Sequence, residues 1–279
     1  MELKDVKIVA DSSADMLFLE GISFAVAPLK IVTAEKEYVD NEKLNVEEMV
    51  NDLLVYKGRS STACPSPEDW LGAFGDAKYV FCVAITSNLS GSCNSAIIAK
   101  KDYEEQYPDR KVCVVDSLSA GPELVLIIEK LRKLILKGKS FEDVCSEVKE
   151  YMKGTGLLFI LESMKNLANN GRVNPIVAKA AGILGIRAIG RASDVGTLEM
   201  LTKSRGERKT VADTYKTMKE QGYKGGKARI GNIINPDAAE QVKALILEEY
   251  PEADVKIYAS RGLCSFYAEK GGLMVGFEK

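Results

Sequence analysis

Short apolar runs rich in β-branched and aromatic residues alternate with longer amphipathic stretches through the first half of the chain. Residues 6–10, 24–32, 79–85 and 111–115 have the length and composition of strands, and helical patterns fall near 46–57, 67–76 and 94–106. This alternation predicts an α/β fold with a mostly parallel sheet, whose ligands sit beyond the carboxyl ends of the strands. Residues 11–13, 86–92 and 116–119 each follow a strand directly, so they are expected along one edge.

Residues 123–137 form a strongly apolar helical pattern that Glu129, Lys130, Arg132 and Lys133 interrupt, which predicts a helix buried in protein rather than in a membrane. Ser140 with Asp143 reads as a capping-box start for the next helix, which ends near Gly154 and Gly156. Those glycines divide the chain into an expected α/β domain over 1–155 and a second over 156–279. In the second, 156–161 reads as a strand, and Asn174 and Pro175 begin a helix running to 184. Asn235 and Pro236 repeat that start signal. Strands are expected near 186–192, 197–203, 227–234, 254–260 and 272–278, with a further one near 263–268, giving a mixed or antiparallel sheet.

Composition narrows the function more than the fold. With 279 residues and 46% hydrophobic content the chain can build substantial cores. A formal net charge of -2 gives no bulk attraction to nucleic acid or to an anionic membrane. Neither a signal-peptide core nor an apolar run of membrane-spanning length is present in the sequence, so a cytoplasmic location is expected. Six cysteines scattered without a CxxC pair suit reduced thiols, and Cys82 and Cys113 lie in strand patterns that read as core. Histidine is absent, which removes Ser-His-Asp and Cys-His nucleophiles, HExxH metal sites and histidine acid-base chemistry.

The richest segment is YVFCVAITSNLSGSCNSAIIAK, residues 79–100, a strand, a hydroxyl-rich turn and a helix start. Ser87, Ser90 and Ser92 offer donors, Gly91 permits close backbone approach, and the free amides of a helix start favour an anion. The same residues also make ordinary helix caps. A second hydroxyl-rich turn, RSSTACPSP at 59–67, precedes EDWLGAF, with Ser66 as cap and Pro67 at the first helical position. Two such loops can converge on one small anion. Gly138-Lys139-Ser140 resembles the end of a P-loop, but Lys133 stands where its first glycine is required, and no GxGxxG is present. Asp11, Asp15 and Asp116 suit caps and turns better than a metal site, so neither a metal nor another cofactor is expected.

ADSSADM at 10–16, TACPSP at 62–67, SNLSGS at 87–92, VVDS at 114–117 and NNGRV at 169–173 together resemble the DegV family, in order and over nearly the whole chain. The resemblance implies a two-domain fold that binds a long-chain fatty acid and, as in the FakB members, presents its carboxylate to a separate fatty acid kinase. Such a protein is a lipid carrier with no catalytic residues of its own. Thr62 and Ser90 match the family's carboxylate-binding threonine and serine, with Gly91 and Ser92 beside them. Counting back from Phe277 places Tyr267 where the family has a head-group histidine, so a neutral hydroxyl replaces an ionisable ring. Tyr267 is also readable as a core aromatic in a last strand pair. Arg172 matches an arginine implicated in kinase docking, and Arg205 is expected as a second docking residue, with Arg187, Arg191, Lys203 and Arg208 extending positive charge through the same half. The chain departs from the family at Ala63 and Cys64, where serine and glutamine are usual, and at Arg187 and Ala188, where lysine and proline are. The alternative is an enzyme acting on a small anionic substrate, with Ser90 as nucleophile or Asp11 and Asp116 as an acid-base pair.

Overall fold

The computed structural model describes residues 1–176 and 185–279. Four strands, β1 (Val6–Asp11), β2 (Ser23–Ala27), β6 (Tyr79–Ala84) and β7 (Lys111–Asp116), form a parallel sheet in the order β2-β1-β6-β7. A small antiparallel sheet, β4-β3-β5, joins β3 (Lys30–Val32), β4 (Glu37–Val39) and β5 (Ser61–Ala63). The single strand expected over 24–32 is therefore two. Pro28, between them, has no amide hydrogen to donate to a ladder, and the chain leaves one sheet there to enter the other.

The second half builds a six-stranded sheet in the order β10-β9-β8-β13-β11-β12. Its strands are β8 (Thr155–Leu161), β9 (Ile186–Ala192), β10 (Leu198–Arg205), β11 (Ala228–Asn232), β12 (Val255–Ala259) and β13 (Leu273–Glu278). Only β11 and β12 pair in parallel. The fold is α/β, a parallel sheet in the N-terminal half and a mixed sheet with helices in the C-terminal half. We propose the division at 155–156 on this change of sheet.

Helices cover the sheets. In the first half these are α1 (Val46–Val55), α2 (Pro67–Phe74), α3 (Ser92–Gln106), α4 (Pro122–Leu136) and α5 (Phe141–Met152). The second half has α6 (Lys165–Asn169), α7 (Glu207–Glu220), α8 (Pro236–Glu249) and α9 (Gly262–Ala268). Ser66 and Asp69 form a reciprocal capping box with Pro67 in the first turn of α2, as the sequence predicts. Residues 263–268, expected as a strand, are helix α9. The helix α7 has no counterpart among the expected elements, and the helix expected from Asn174 to 184 runs into residues outside those described.

The helix α4 holds the halves together. Its Leu124, Ile127, Ile128 and Leu131 are fully buried against β1, β6 and β7, and it also packs on β11 and β13 of the second sheet. From its far side Glu129 receives two hydrogen bonds, of 2.9 and 2.7 Å, from the Arg229 guanidinium, which Asp254 also engages at 2.8 Å. Among the described residues no helix is long and apolar enough to cross a membrane. All six cysteines are free thiols, and Cys82 and Cys113 are buried.

Candidate functional site

Side chains alternate across a strand, and both faces of β8 are apolar. Leu158 and Ile160 face the core beneath α7 and α8, whereas Leu157, Phe159 and Leu161 face the other way. There they line a narrow slot closed by Leu29, Ile85 and Leu89 from the first half and by Leu198, Leu263 and Met274 from the second. About 690 Å³ of empty space, open solvent at its mouth included, lies along the slot. Gly190 lies opposite Phe159 in the β8–β9 ladder, and a Cβ there would come within 2.3 Å of the Phe159 ring, so glycine is what lets that ring lie along the wall.

The slot's polar groups belong to few residues. Thr62 Oγ1 and Tyr267 Oη share a hydrogen bond of 2.7 Å, Ser90 lines the same space, and the Arg172 guanidinium lies 6.0 Å from the Tyr267 ring centre. Burial raises the Tyr267 pKa, against the lowering effect of Thr62 and of the Arg172 charge, so its phenol remains a neutral donor near neutral pH.

Two strand ends and a turn bring the Ser90 loop into place. Asp11, at the end of β1, is fully buried and accepts the Ile85 amide at 2.9 Å, the Ser92 hydroxyl at 2.6 Å and both the amide and the hydroxyl of Ser13. Its pKa is raised by burial, an effect these donors oppose. Asp116, at the end of β7, accepts the amides of Ser87 and Leu118 at 3.2 and 3.1 Å. The turn between β9 and β10 reaches across from the other half, where Thr86 Oγ1 donates to the Gly196 carbonyl at 2.9 Å and the Asn88 amide group donates to that of Val195 at 2.6 Å. Gly196 has φ +78°, and a Cβ on it would strike Thr86 Oγ1 at 2.2 Å, so this clamp requires glycine.

Tyr267 arrives on α9, whose first amides are held by two buried carboxylates from the other end of the chain. Asp15 Oδ1 accepts the Arg261 amide at 2.8 Å, and Asp40 accepts those of Gly262 and Leu263 at 3.0 and 2.8 Å. Burial raises the pKa of Asp40, and that of Asp15 rises to about 7.

The structure therefore brings Thr62, Ser90, Tyr267 and Arg172 together and leaves Gly91, Ser92 and Arg205 out of the slot's lining. Ser92 does not line the slot; it is fully buried, and its single hydroxyl proton goes to Asp11, so it holds the loop rather than a head group. Gly91 is exposed at the start of α3 and leaves room beside Cys64, where a Cβ would lie 3.2 Å from the sulfur. Arg172 lines the groove beside Leu198, which opens β10, whereas Arg205 closes that strand seven residues on. Arg187 and Arg191 are ion-paired with Glu162 and Glu199, which offsets much of the positive charge expected there.

Sequence reasoning missed Arg172's place in the slot, although it singled out the NNGRV segment that carries it. The apolar-on-both-faces run at 156–161 was the signal for the slot's wall. Asp11 and Asp116 are committed to loop amides and hydroxyls, and no carboxylate or amine is hydrogen-bonded to Ser90 among the described residues. The acid-base and nucleophile alternatives therefore lack their geometry. Among the described residues no group of three or more carboxylates or thiols is gathered to hold a metal.

The sequence model for the DegV family, described as uncharacterised proteins, matches residues 5–279. A DegV domain-containing protein of Streptococcus pneumoniae is 44% identical over 276 residues, 98% of each chain. Among solved structures, a DegV family protein from Eubacterium eligens loaded with heptadecanoic acid superposes with a TM-score of 0.96 at 42% identity, covering 98% of this chain and 99% of that one. The Streptococcus pneumoniae Fatty Acid Kinase B3 protein loaded with linoleic acid gives a TM-score of 0.96 at 43% identity, with the same coverage. With its sequence matched end to end and its fold shared, the chain belongs to the DegV family.

Proposed function

We propose that the protein binds a long-chain fatty acid with its tail in the slot and its carboxylate at Thr62, Ser90 and Tyr267, and presents that carboxylate to a separate fatty acid kinase. The observation that carries this reading is the make-up of the slot, with leucine, phenylalanine and methionine walls and hydroxyls gathered beside one another. The fatty acids in the two similar solved proteins support it. Burying about fourteen methylenes at ~0.8 kcal/mol each supplies on the order of 11 kcal/mol before the costs of association. Hydrogen bonds to a charged head contribute about 1.5 to 3 kcal/mol each, so the tail sets affinity and the hydroxyls set where the carboxylate lies.

In this reading the protein is a carrier subunit in the cytoplasm, and the kinase brings ATP and the phosphoryl-transfer machinery. Arg205, exposed at the end of β10, is a candidate contact for that partner. Organic extraction of freshly purified protein followed by mass spectrometry, alongside native mass spectrometry of the intact chain, tests the binding step. Near-stoichiometric fatty acid is the expected result. A protein that is empty and takes up no added fatty acid would overturn the reading.

A further inference from the structure

We propose that Arg172 is the counter-charge for the ligand's carboxylate and makes the slot select an ionised head over a neutral one of the same length. The inference rests on the fatty-acid reading and assigns Arg172 to the ligand itself rather than to a docking face.

Three observations carry it. The first is position: Arg172, Leu89 and Leu198 line both the inner slot and the groove outside it, where Asn88, Asn170 and Thr197 take over the walls. Arg172 thus stands at the doorway between them, with its guanidinium 6.0 Å from the ring of Tyr267. The second is pairing. Its Nε donates to the Leu89 carbonyl at 3.1 Å and one terminal nitrogen donates to the Asn170 carbonyl. No carboxylate lies within ion-pair distance of it among the described residues, whereas Arg187, Arg191 and Arg229 in the same half each have one within 3 Å. The third is the rest of the slot's polar lining: Thr62, Ser90 and Tyr267 offer only neutral hydroxyls, and Arg172 is the sole cation among the slot's described lining residues.

A half-buried guanidinium held by two carbonyls retains a second terminal nitrogen that has no acceptor among the described residues, and a charge partly removed from water without a counter-charge is unfavourable. The backbone bonds fix the fork in place before any ligand arrives. An incoming carboxylate completes the ion pair, and a neutral head of the same length leaves it incomplete. The carbonyls of Leu89 and Asn170 tie the cation to the Ser90 loop on one side and to the end of α6 on the other, so the charge and the hydroxyls move as one unit.

The test compares hexadecanoic acid with hexadecan-1-ol on delipidated full-length protein, by isothermal titration, for the unmodified chain, Arg172→Gln and Arg172→Lys. Without the cation, the glutamine variant forgoes a charge-assisted hydrogen bond, which lowers affinity for the acid about ten- to hundredfold and leaves affinity for the alcohol unchanged. Lysine recovers part of the acid preference. Unchanged acid affinity in Arg172→Gln, or an equal loss for acid and alcohol, would overturn the assignment and return Arg172 to a partner-facing or purely structural role. Failure of the unmodified protein to bind either compound would instead overturn the fatty-acid reading beneath it.

Discussion

Replacing Asp15 with asparagine removes an ionisable group from the joint that positions Tyr267, and the structure fixes the size of the effect. Asp15 follows the 3-10 turn Ser12–Ala14 with φ 56°, a left-handed conformation that asparagine tolerates well. Its Oδ1 accepts the Arg261 amide at the start of α9, and its Oδ2 is buried without a hydrogen-bond partner among the described residues. Burial lifts its pKa from 3.8 to about 7, against the lowering effect of the Arg261 amide. The folded state therefore holds the Asp15 proton more tightly than the unfolded state does. The resulting stability is complete below pH 3.8 and is lost as pH rises through about 7. Between pH 5 and pH 8 the wild type should lose about 3 kcal/mol relative to Asp15→Asn, at ~1.36 kcal/mol per unit of pKa difference. Asparagine keeps the Oδ1 acceptor, so the two proteins converge towards acid pH and the variant is the more stable at pH 8. Urea unfolding followed by the fluorescence of Trp70, the single and fully buried tryptophan, reads this as a difference in midpoint of about 1 M that opens with pH. A difference between the two proteins that stays constant from pH 5 to 8 would show that Asp15 is already ionised in the fold, and the argument from burial would fail.

Two further substitutions probe the slot's hydroxyls and the seam between the halves. Tyr267→Phe removes the partner of Thr62 and, in the proposed complex, one donor to the carboxylate, and should weaken hexadecanoic acid binding at least tenfold; an unaltered dissociation constant would leave Tyr267 as a packing ring against Phe266. Glu129→Ala leaves the Arg229 guanidinium, 1% exposed, facing Lys227 with Asp254 as its remaining acid, and should destabilise the protein by about 3 to 5 kcal/mol in the same urea assay. A loss below about 1 kcal/mol there would mean that α4 is held between the sheets by apolar packing alone.

Local rules account for the elements the sequence made legible. The Ser66, Pro67 and Asp69 start of α2, the strands of the parallel sheet and the buried helix α4 each follow from side-chain period, proline geometry and capping within a few residues. The elements that differ fail that condition. LCSFYA in α9 is a short run apolar on every side, which strand and helix periods fit equally well. It is helical because Asp15 and Asp40, more than 200 residues earlier, accept its first amides. The helix α7 did carry a readable signal, Val211, Tyr215 and Met218 at intervals of four and three, which now face the core.

The sequence by itself determined the alternation of strands and helices, the placing of three hydroxyl-rich loops at one sheet edge, and the exclusion of histidine chemistry. These depend on residue type, period and order, which are properties of the chain before it folds. Tertiary structure decided which hydroxyls are free. Ser90 and Ser92 differ by two positions and are the same residue, yet the proton of Ser92 is spent on Asp11 while Ser90 faces the slot. It also decided that Arg172 stands with Tyr267, 95 positions away in sequence, because a side chain's role depends on what else has filled its surroundings, and only packing across the two halves assembles those surroundings.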